Sequence, residues 1–305
     1  MLIYISLLAG LVLLFVGGDW LVKGASAIAA RLHVPPMIVG LTIVGFGTST
    51  PELLVSLEAA LSGQSGIAIG NVIGSNIANI LLIGGVTALV APMLTPFAPL
   101  KRDLTVMICA TLALPLVLWS GSIGAIEGSL LLLGLAGYLL VSIRNIDRSS
   151  PAVPTSVSTA KSIGLMLLGL GALVYGADLL VGSASTLART FGISEAMIGL
   201  SIVAVGTSLP ELATSLTAAL RGQRDIAIGN IIGSNIFNLL FILGLTAVIS
   251  PIPVAARFLP VDTPVVLLAT LFLGALVALK GQINRPTGAI MLLSYLGYIG
   301  LTAQL

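Results

Sequence analysis

Charge is what this chain has least of. Only 8% of its 305 residues are Asp, Glu, Lys or Arg, and the net charge of +2 is spread along loops. That leaves no basic surface for nucleic acid and no acidic, solvated tail. A single cysteine, Cys109, excludes an internal disulfide and a thiolate metal cluster, and is expected to pack within a helix. The only histidine, His33, precedes Val34-Pro35-Pro36 in an expected loop and reads as solvated rather than as a ligand. No nucleophile, base and orienting group converge in any motif, so no enzymatic reaction and no cofactor are implied. What is present is apolar: 57% hydrophobic residues and a mean hydropathy of +1.16 lie far outside the range of soluble domains. The chain is read as an integral membrane protein whose first partner is the lipid bilayer.

A crossing needs roughly 20 apolar residues, which leaves room for about ten transmembrane helices. Hydropathy places them near 2–30, 37–61, 67–91, 104–119, 123–143, 161–190, 195–219, 226–250, 260–279 and 286–304. The N-terminal stretch lacks a basic leader and runs on through Leu21–Ala30, so it reads as the first helix rather than a signal peptide. Arg144–Thr159 is the only long polar segment. The expected organisation is a first transmembrane repeat over 1–143, a cytoplasmic linker over 144–160 and a second repeat over 161–305.

The chain says one thing twice. GFGTSTPELLVS at Gly45–Ser56 returns as AVGTSLPELATS at Ala204–Ser215, and GNVIGSNIAN at Gly70–Asn79 returns as GNIIGSNIFN at Gly229–Asn238. A constant shift of 159 residues pairs Asp19 with Asp178, Glu52 with Glu211, Asn79 with Asn238 and Pro92 with Pro251. Five helices per half is an odd number, so the second copy enters the membrane from the opposite side. The fold expected is therefore all-α, with two five-helix inverted-topology repeats. Lys and Arg collect on the cytoplasmic side of membrane proteins. With both termini outside, that side holds Lys23, Arg31, Lys101, Arg102, Arg144, Arg148, Lys161, Arg221, Arg224, Lys280 and Arg285, against Arg189 and Arg257 outside.

A duplicated cluster of Glu, Asn, Ser and Thr in lipid marks a functional site. Gly47 with Pro51, and Gly206 with Pro210, are expected to break a helix at mid-membrane and free carbonyls toward a ligand. The carbonyls of Gly45 and Ala204, the hydroxyls of Thr48, Ser49, Thr207 and Ser208, and the carboxylates of Glu52 and Glu211 then supply the oxygens that a hard cation wants, Ca2+ in a flexible set of about six to eight or Mg2+ in a stricter octahedron. Ser75 and Asn79, and Ser234 and Asn238, lie four residues apart and share a helix face. Asn76 and Asn235 face elsewhere, to cap or bridge helices. For these and for Asn71 and Asn230, interhelical packing is an equally good account. It is a poor one for the glutamates, because no basic residue lies at matching depth. Asp19 and Asp178 read either as helix-end groups, Asp19 pairing with Lys23 one turn on, or as a cation-attracting entrance. Glu58, Glu127, Glu195 and Asp225 read as surface charges.

GTSTPEL with GNVIGSNIAN, repeated as GTSLPEL with GNIIGSNIFN, strongly resembles the α1 and α2 repeats of the cation/calcium exchanger superfamily, in its prokaryotic sodium/calcium exchanger branch. The resemblance covers essentially the full length. It implies an antiporter of the prokaryotic plasma membrane that exchanges Na+ for Ca2+ by alternating access. It also implies that Thr48, Ser49, Glu52, Ser75 and Asn79, with Thr207, Ser208, Glu211, Ser234 and Asn238 and the carbonyls of Gly45 and Ala204, line adjacent sites for these ions. Some archaeal relatives carry Asp where this chain has Asn238, which leaves two carboxylates here instead of three. K+-dependent or H+-coupled exchange, and a passive cation channel, are the alternatives. The Gly-rich first helices of the two halves, around Gly17-Gly18 and Gly169 and Gly171, lack side chains that would lock them to neighbours and are expected to slide across a fixed core.

Overall fold

The computed structural model describes residues 2–144, 158–192 and 204–302. Most of the expected linker, the start of the span expected at 195, and Glu195 lie outside them. Among the described residues the protein is helical. The first half holds α1 (Leu2–Leu32), α2 (Pro36–Thr48), α3 (Thr50–Leu61), α4 (Ser65–Val90), α5 (Phe97–Leu118) and α6 (Ala125–Arg144). The second holds α7 (Thr159–Thr190), α8 (Ala204–Gly206), α9 (Leu209–Leu220), α10 (Arg224–Ile249), α11 (Phe258–Lys280) and α12 (Arg285–Thr302). Among the described residues six helices are long and apolar enough to cross a membrane, or seven if the bent pair α2–α3 is one span.

The most apolar windows of α4 and α10 are 78% and 83% buried, against 33% for α1 and 22% for α7. The motif helices are thus the core and the first helix of each half is peripheral. Close backbone contact holds the core together: Gly233 of α10 lies so near the Leu41 carbonyl of α2 that no Cβ fits. The peripheral helices are not left loose by their glycines. Gly10 and Gly17 of α1 face Gly176 and Gly169 of α7, and a Cβ on Gly17 would lie 2.8 Å from the Gly169 carbonyl. Glycine here brings the two helices together, as small residues do in membranes.

Short strands tie the halves to each other: β1 (Met93–Leu94) pairs antiparallel with β4 (Gln282–Ile283), and β2 (Ser122–Ile123) with β3 (Ile252–Pro253). Thr111 and Thr270, 159 residues apart, meet at 3.4 Å, which is where equivalent residues beside a two-fold axis must lie. The shift becomes 160 beyond this point, since Gly121 corresponds to Gly281 and Tyr138 to Tyr298. Helix α5 begins seven residues before the expected 104, because its first turns carry Lys101, Arg102 and Asp103, which hydropathy assigns to a loop. Cys109 lies in α5 as expected but on its exposed face. His33 is exposed at φ 53°, the left-handed residue that ends α1.

Candidate cation site

The break in each half falls on a serine. Ser49 (φ −83°, ψ 8°) separates α2 from α3, and Ser208 (φ −91°, ψ 6°) separates α8 from α9. Pro51 and Pro210 follow in the first helical turn, where a missing N–H costs nothing. Glu52 and Glu211 come next, at a helix N-terminus whose aligned peptide dipoles favour a carboxylate. Each break therefore presents a hydroxyl and a carboxylate together. The bend between α2 and α3 is 41°. Fewer carbonyls are released than the Gly and Pro pattern implies: the Gly45 carbonyl accepts the Ser49 N–H at 3.1 Å, while the Ser208 N–H bonds Val205 rather than Ala204. The Gly45 carbonyl also lies 3.4 Å from Thr48 Oγ1, so both of its lone pairs have a donor within reach.

The two breaks face each other and exchange partners. Ser49 Oγ donates to Glu211 Oε1 at 2.8 Å, and Ser208 Oγ donates to Glu52 Oε1 at 3.4 Å. A second set of bonds frames them. Asn71 Nδ2 donates to the Glu52 carbonyl (3.0 Å) and to Ser56 Oγ (2.8 Å), and its Oδ1 accepts from Thr207 Oγ1 (3.4 Å). Asn230 Nδ2 donates to the Glu211 carbonyl (3.3 Å) and to Ser215 Oγ (2.9 Å), and its Oδ1 lies 3.2 Å from Thr48 Oγ1, whose single proton is shared with the Val44 (3.1 Å) and Gly45 (3.4 Å) carbonyls. Asn71 and Asn230, which the sequence left open between packing and function, thus hold the glutamate of their own half and orient the threonine of the other.

Both glutamates are at most 1% exposed, yet Glu52 Oε2 and Glu211 Oε2 have no hydrogen-bond partner among the described residues. The same holds for both amide atoms of Asn79 and of Asn238 and for Ser234 Oγ. Leaving a buried polar atom unpaired costs about 1–3 kcal/mol, and five of these seven atoms are oxygens with lone pairs to offer a cation. Asn79 and Asn238 sit in π-helical turns, Ala78–Ile83 and Asn238–Ile242, a local widening that recurs at functional sites. Ser75 is buried in α4. Among the described residues no three His, Cys, Asp or Glu side chains gather in a metal-binding group. With two carboxylates, hydroxyls and amides, the donor set is all hard oxygen, which fits alkali and alkaline-earth ions rather than transition metals.

The other expected residues fall outside this cluster. Asn235 Nδ2 donates to the Ile231 carbonyl of its own helix at 2.7 Å, and Asn76 is buried with no side-chain bond among the described residues, so neither caps or bridges helices there as the sequence led one to expect. Asp19 pairs with Lys23 at 2.8 Å and with Arg221, which ties α1 to the end of α9. The positions equivalent to Lys23 and Arg221 are Gly182 and Ser62, and Asp178 is exposed. Glu58 and Asp225 are exposed, and Glu127 accepts the Gly124 N–H at 2.9 Å. Sequence reasoning missed two buried carboxylates, Asp103 beside Arg102 and Asp262 beside Arg257 and Tyr298.

The model of the sodium/calcium exchanger protein family matches residues 2–144 and again residues 161–303. The putative antiporter CaxA of Alkalimonas amylolytica is 42% identical over 307 residues, 96% of each chain. Sodium/calcium exchanger MaX1 of Methanosarcina acetivorans is 34% identical over 97% of each chain. Inner membrane protein YrbG of Escherichia coli is 35% identical over 80% of this chain and 79% of its own. The solved structure of the sodium-calcium exchanger NCX_Mj soaked with 2.5 mM Na+ and 0.1 mM Ca2+ superposes with a TM-score of 0.86 at 33% identity, covering 98% of both chains. CaxA, MaX1 and NCX_Mj are named as an antiporter and two exchangers, transporters rather than enzymes. The chain is an integral membrane protein of the sodium/calcium exchanger family.

Proposed function

We propose that this chain is a secondary active antiporter that exchanges Na+ for Ca2+ across a prokaryotic plasma membrane by alternating access. The observation that carries the reading is the reciprocal pair Ser49–Glu211 and Ser208–Glu52, each glutamate keeping one buried oxygen without a partner. Two carboxylates balance the charge of one Ca2+. Thr48, Ser49, Glu52, Ser75 and Asn79, their counterparts Thr207, Ser208, Glu211, Ser234 and Asn238, and the carbonyls of Gly45 and Ala204 supply the oxygens. Na+ and Ca2+ compete for them, so filling by one kind expels the other and only a filled site switches sides.

With α2–α3 and α8–α9 each taken as one broken crossing, the chain makes five crossings per half, and the second half is inverted relative to the first. The repeat shift of 159 residues, 160 beyond Thr111, the Thr111–Thr270 contact and the strand pairs between halves support this plan. The excess of Lys and Arg puts both termini outside and the linker in the cytoplasm. The test is Ca2+ uptake into proteoliposomes under imposed Na+, K+ or H+ gradients. Outwardly directed Na+ should drive uptake by itself. Uptake driven by a pH gradient alone would transfer the coupling to H+, and a requirement for K+ beside Na+ would make the exchanger K+-dependent.

A further inference from the structure

Outside the polar core, an apolar groove of about 390 Å³ runs between α11 and α12, floored by Leu81 of α4. Leu268, Phe272, Ile290, Gly297 and Leu301 line it. Leu268 is 68% and Ile290 55% exposed, so this face has little of the protein over it. In a membrane-spanning segment such a face meets hydrocarbon.

The groove has a direction. Phe272 and Ile290 stand toward the middle of their helices, whereas Tyr298 and Leu301 lie where α12 ends and α11 begins. At that end Tyr298, itself a wall of the groove, donates its hydroxyl to Asp262 Oδ1 at 2.8 Å. The other Asp262 oxygen lies 3.3 Å from Arg257 Nε. Asp262 is thereby shared by two donors, and the Arg257 side chain, set 5.5 Å over the Phe258 ring, stays 42% exposed at the helix end. An apolar slot that ends at a tyrosine hydroxyl, with a half-exposed guanidinium beyond it that spends only its Nε on Asp262, has the polarity of a lipid, with its chain below and its phosphate above.

We propose that the α11–α12 groove is a binding site for one anionic phospholipid, with an acyl chain against Leu268, Phe272 and Ile290 and the headgroup phosphate at Arg257. This goes beyond the ion-exchange reading and needs only that α11 and α12 span the bilayer. Glycine at 297 keeps the slot open: a Cβ there meets nothing within 4 Å, so a larger side chain fills the groove without pressing on the protein.

The test is native mass spectrometry of the full-length protein in detergent, offered equal amounts of phosphatidylglycerol and phosphatidylcholine with the same acyl chains. The wild type should retain one phosphatidylglycerol, preferred about tenfold over phosphatidylcholine. Gly297→Leu should lose the adduct whatever the headgroup. Arg257→Gln should keep a lipid but lose the preference. Gly300→Leu, on the same helix, also meets open space and does not line the groove, so it should behave as wild type and control for folding. Persistence of the adduct in Gly297→Leu would overturn the site, as would a wild type that holds no lipid or holds both equally. A dimeric mass that Gly297→Leu converts to a monomer, with lipid content unchanged, would give the groove to a second copy of the chain instead.

Discussion

One oxygen of each glutamate is held by a serine of the other half, and the second oxygen is buried without a partner. Glu211→Gln keeps the size and the Ser49 bond but removes a charge where charge-assisted contacts are strongest. Ca2+ flux into proteoliposomes should fall more than tenfold while the thermal melt stays close to wild type; near-normal flux would take Glu211 out of the site. The Asn230–Thr48 bond makes a second, subtler claim. If Asn230 acts on the ion through Thr48, then Asn230→Ala and Thr48→Val should each raise the KM for Ca2+. The double variant should then be no worse than the poorer single, a coupling of about 1 kcal/mol in a double-mutant cycle. Additive effects would reduce Asn230 to packing. Asn238→Asp adds a third carboxyl to the proposed site, whose two already balance Ca2+, and like charges that share a site repel. At low pH the new group is neutral and exchange should approach wild type; as pH rises the variant should diverge, and an unchanged pH profile would mean that residue 238 does not face the ions. The repeated polar motifs were legible because such residues are costly in an apolar chain. The Asn71–Thr207 and Asn230–Thr48 bonds were not, because they join residues 136 and 182 positions apart and depend on how the halves meet.

At the scale of elements, the broken helices were legible from Gly and Pro, but the position of the break was not. Proline marks the first turn of the new helix, and the serine two residues earlier carries the non-helical torsions. The π-turns at Asn79 and Asn238 left no trace that spacing could reveal, since a four-residue interval reads the same in a regular helix. Asp103 escaped notice because it lies within the charged start of α5, outside the apolar window that defined the span, yet the longer helix buries it completely. The glycines of α1 divide by face. Gly10 and Gly17 pack on α7, whereas Gly18 points at α9, where a Cβ would lie 3.0 Å from the Ala213 carbonyl and from Thr217 Oγ1. Gly18→Leu should therefore push α1 off the core without touching a proposed ligand. The expected outcome is exchange slowed several-fold, with Ca2+ binding measured by calorimetry within about twofold of wild type. A matched loss of binding would place the damage in the site instead.

The whole molecule is nearly symmetric about Thr111 and Thr270 but not completely so, because Asp19 ties α1 to α9 through Arg221 while its counterpart Asp178 has Ser62 and Gly182 at the equivalent positions. In the proposed carrier a site shared between duplicated halves is shown to either side in turn, and this is what would separate it from a channel. The separation is physical. Without an ion the site holds two carboxylates at most 1% exposed, with no Lys or Arg paired to them among the described residues, and moving such a pair through a closed state is costly. A carrier should therefore switch only when loaded. Ca2+-loaded vesicles diluted into medium free of both Na+ and Ca2+ should hold their Ca2+. Added Na+ should start net efflux, and added Ca2+ should start isotope exchange without net loss. A channel, whose site never has to cross empty, would release Ca2+ into the ion-free medium as fast as the membrane potential allows. Clamping that potential with K+ and valinomycin removes charge build-up as a reason for retention. Rapid Ca2+ loss under the clamp, from vesicles that keep an impermeant dye, would reject Na+-coupled exchange; loss that collapses when the inside and outside pH are equalised with a protonophore belongs to H+ exchange, and loss that persists leaves the channel standing.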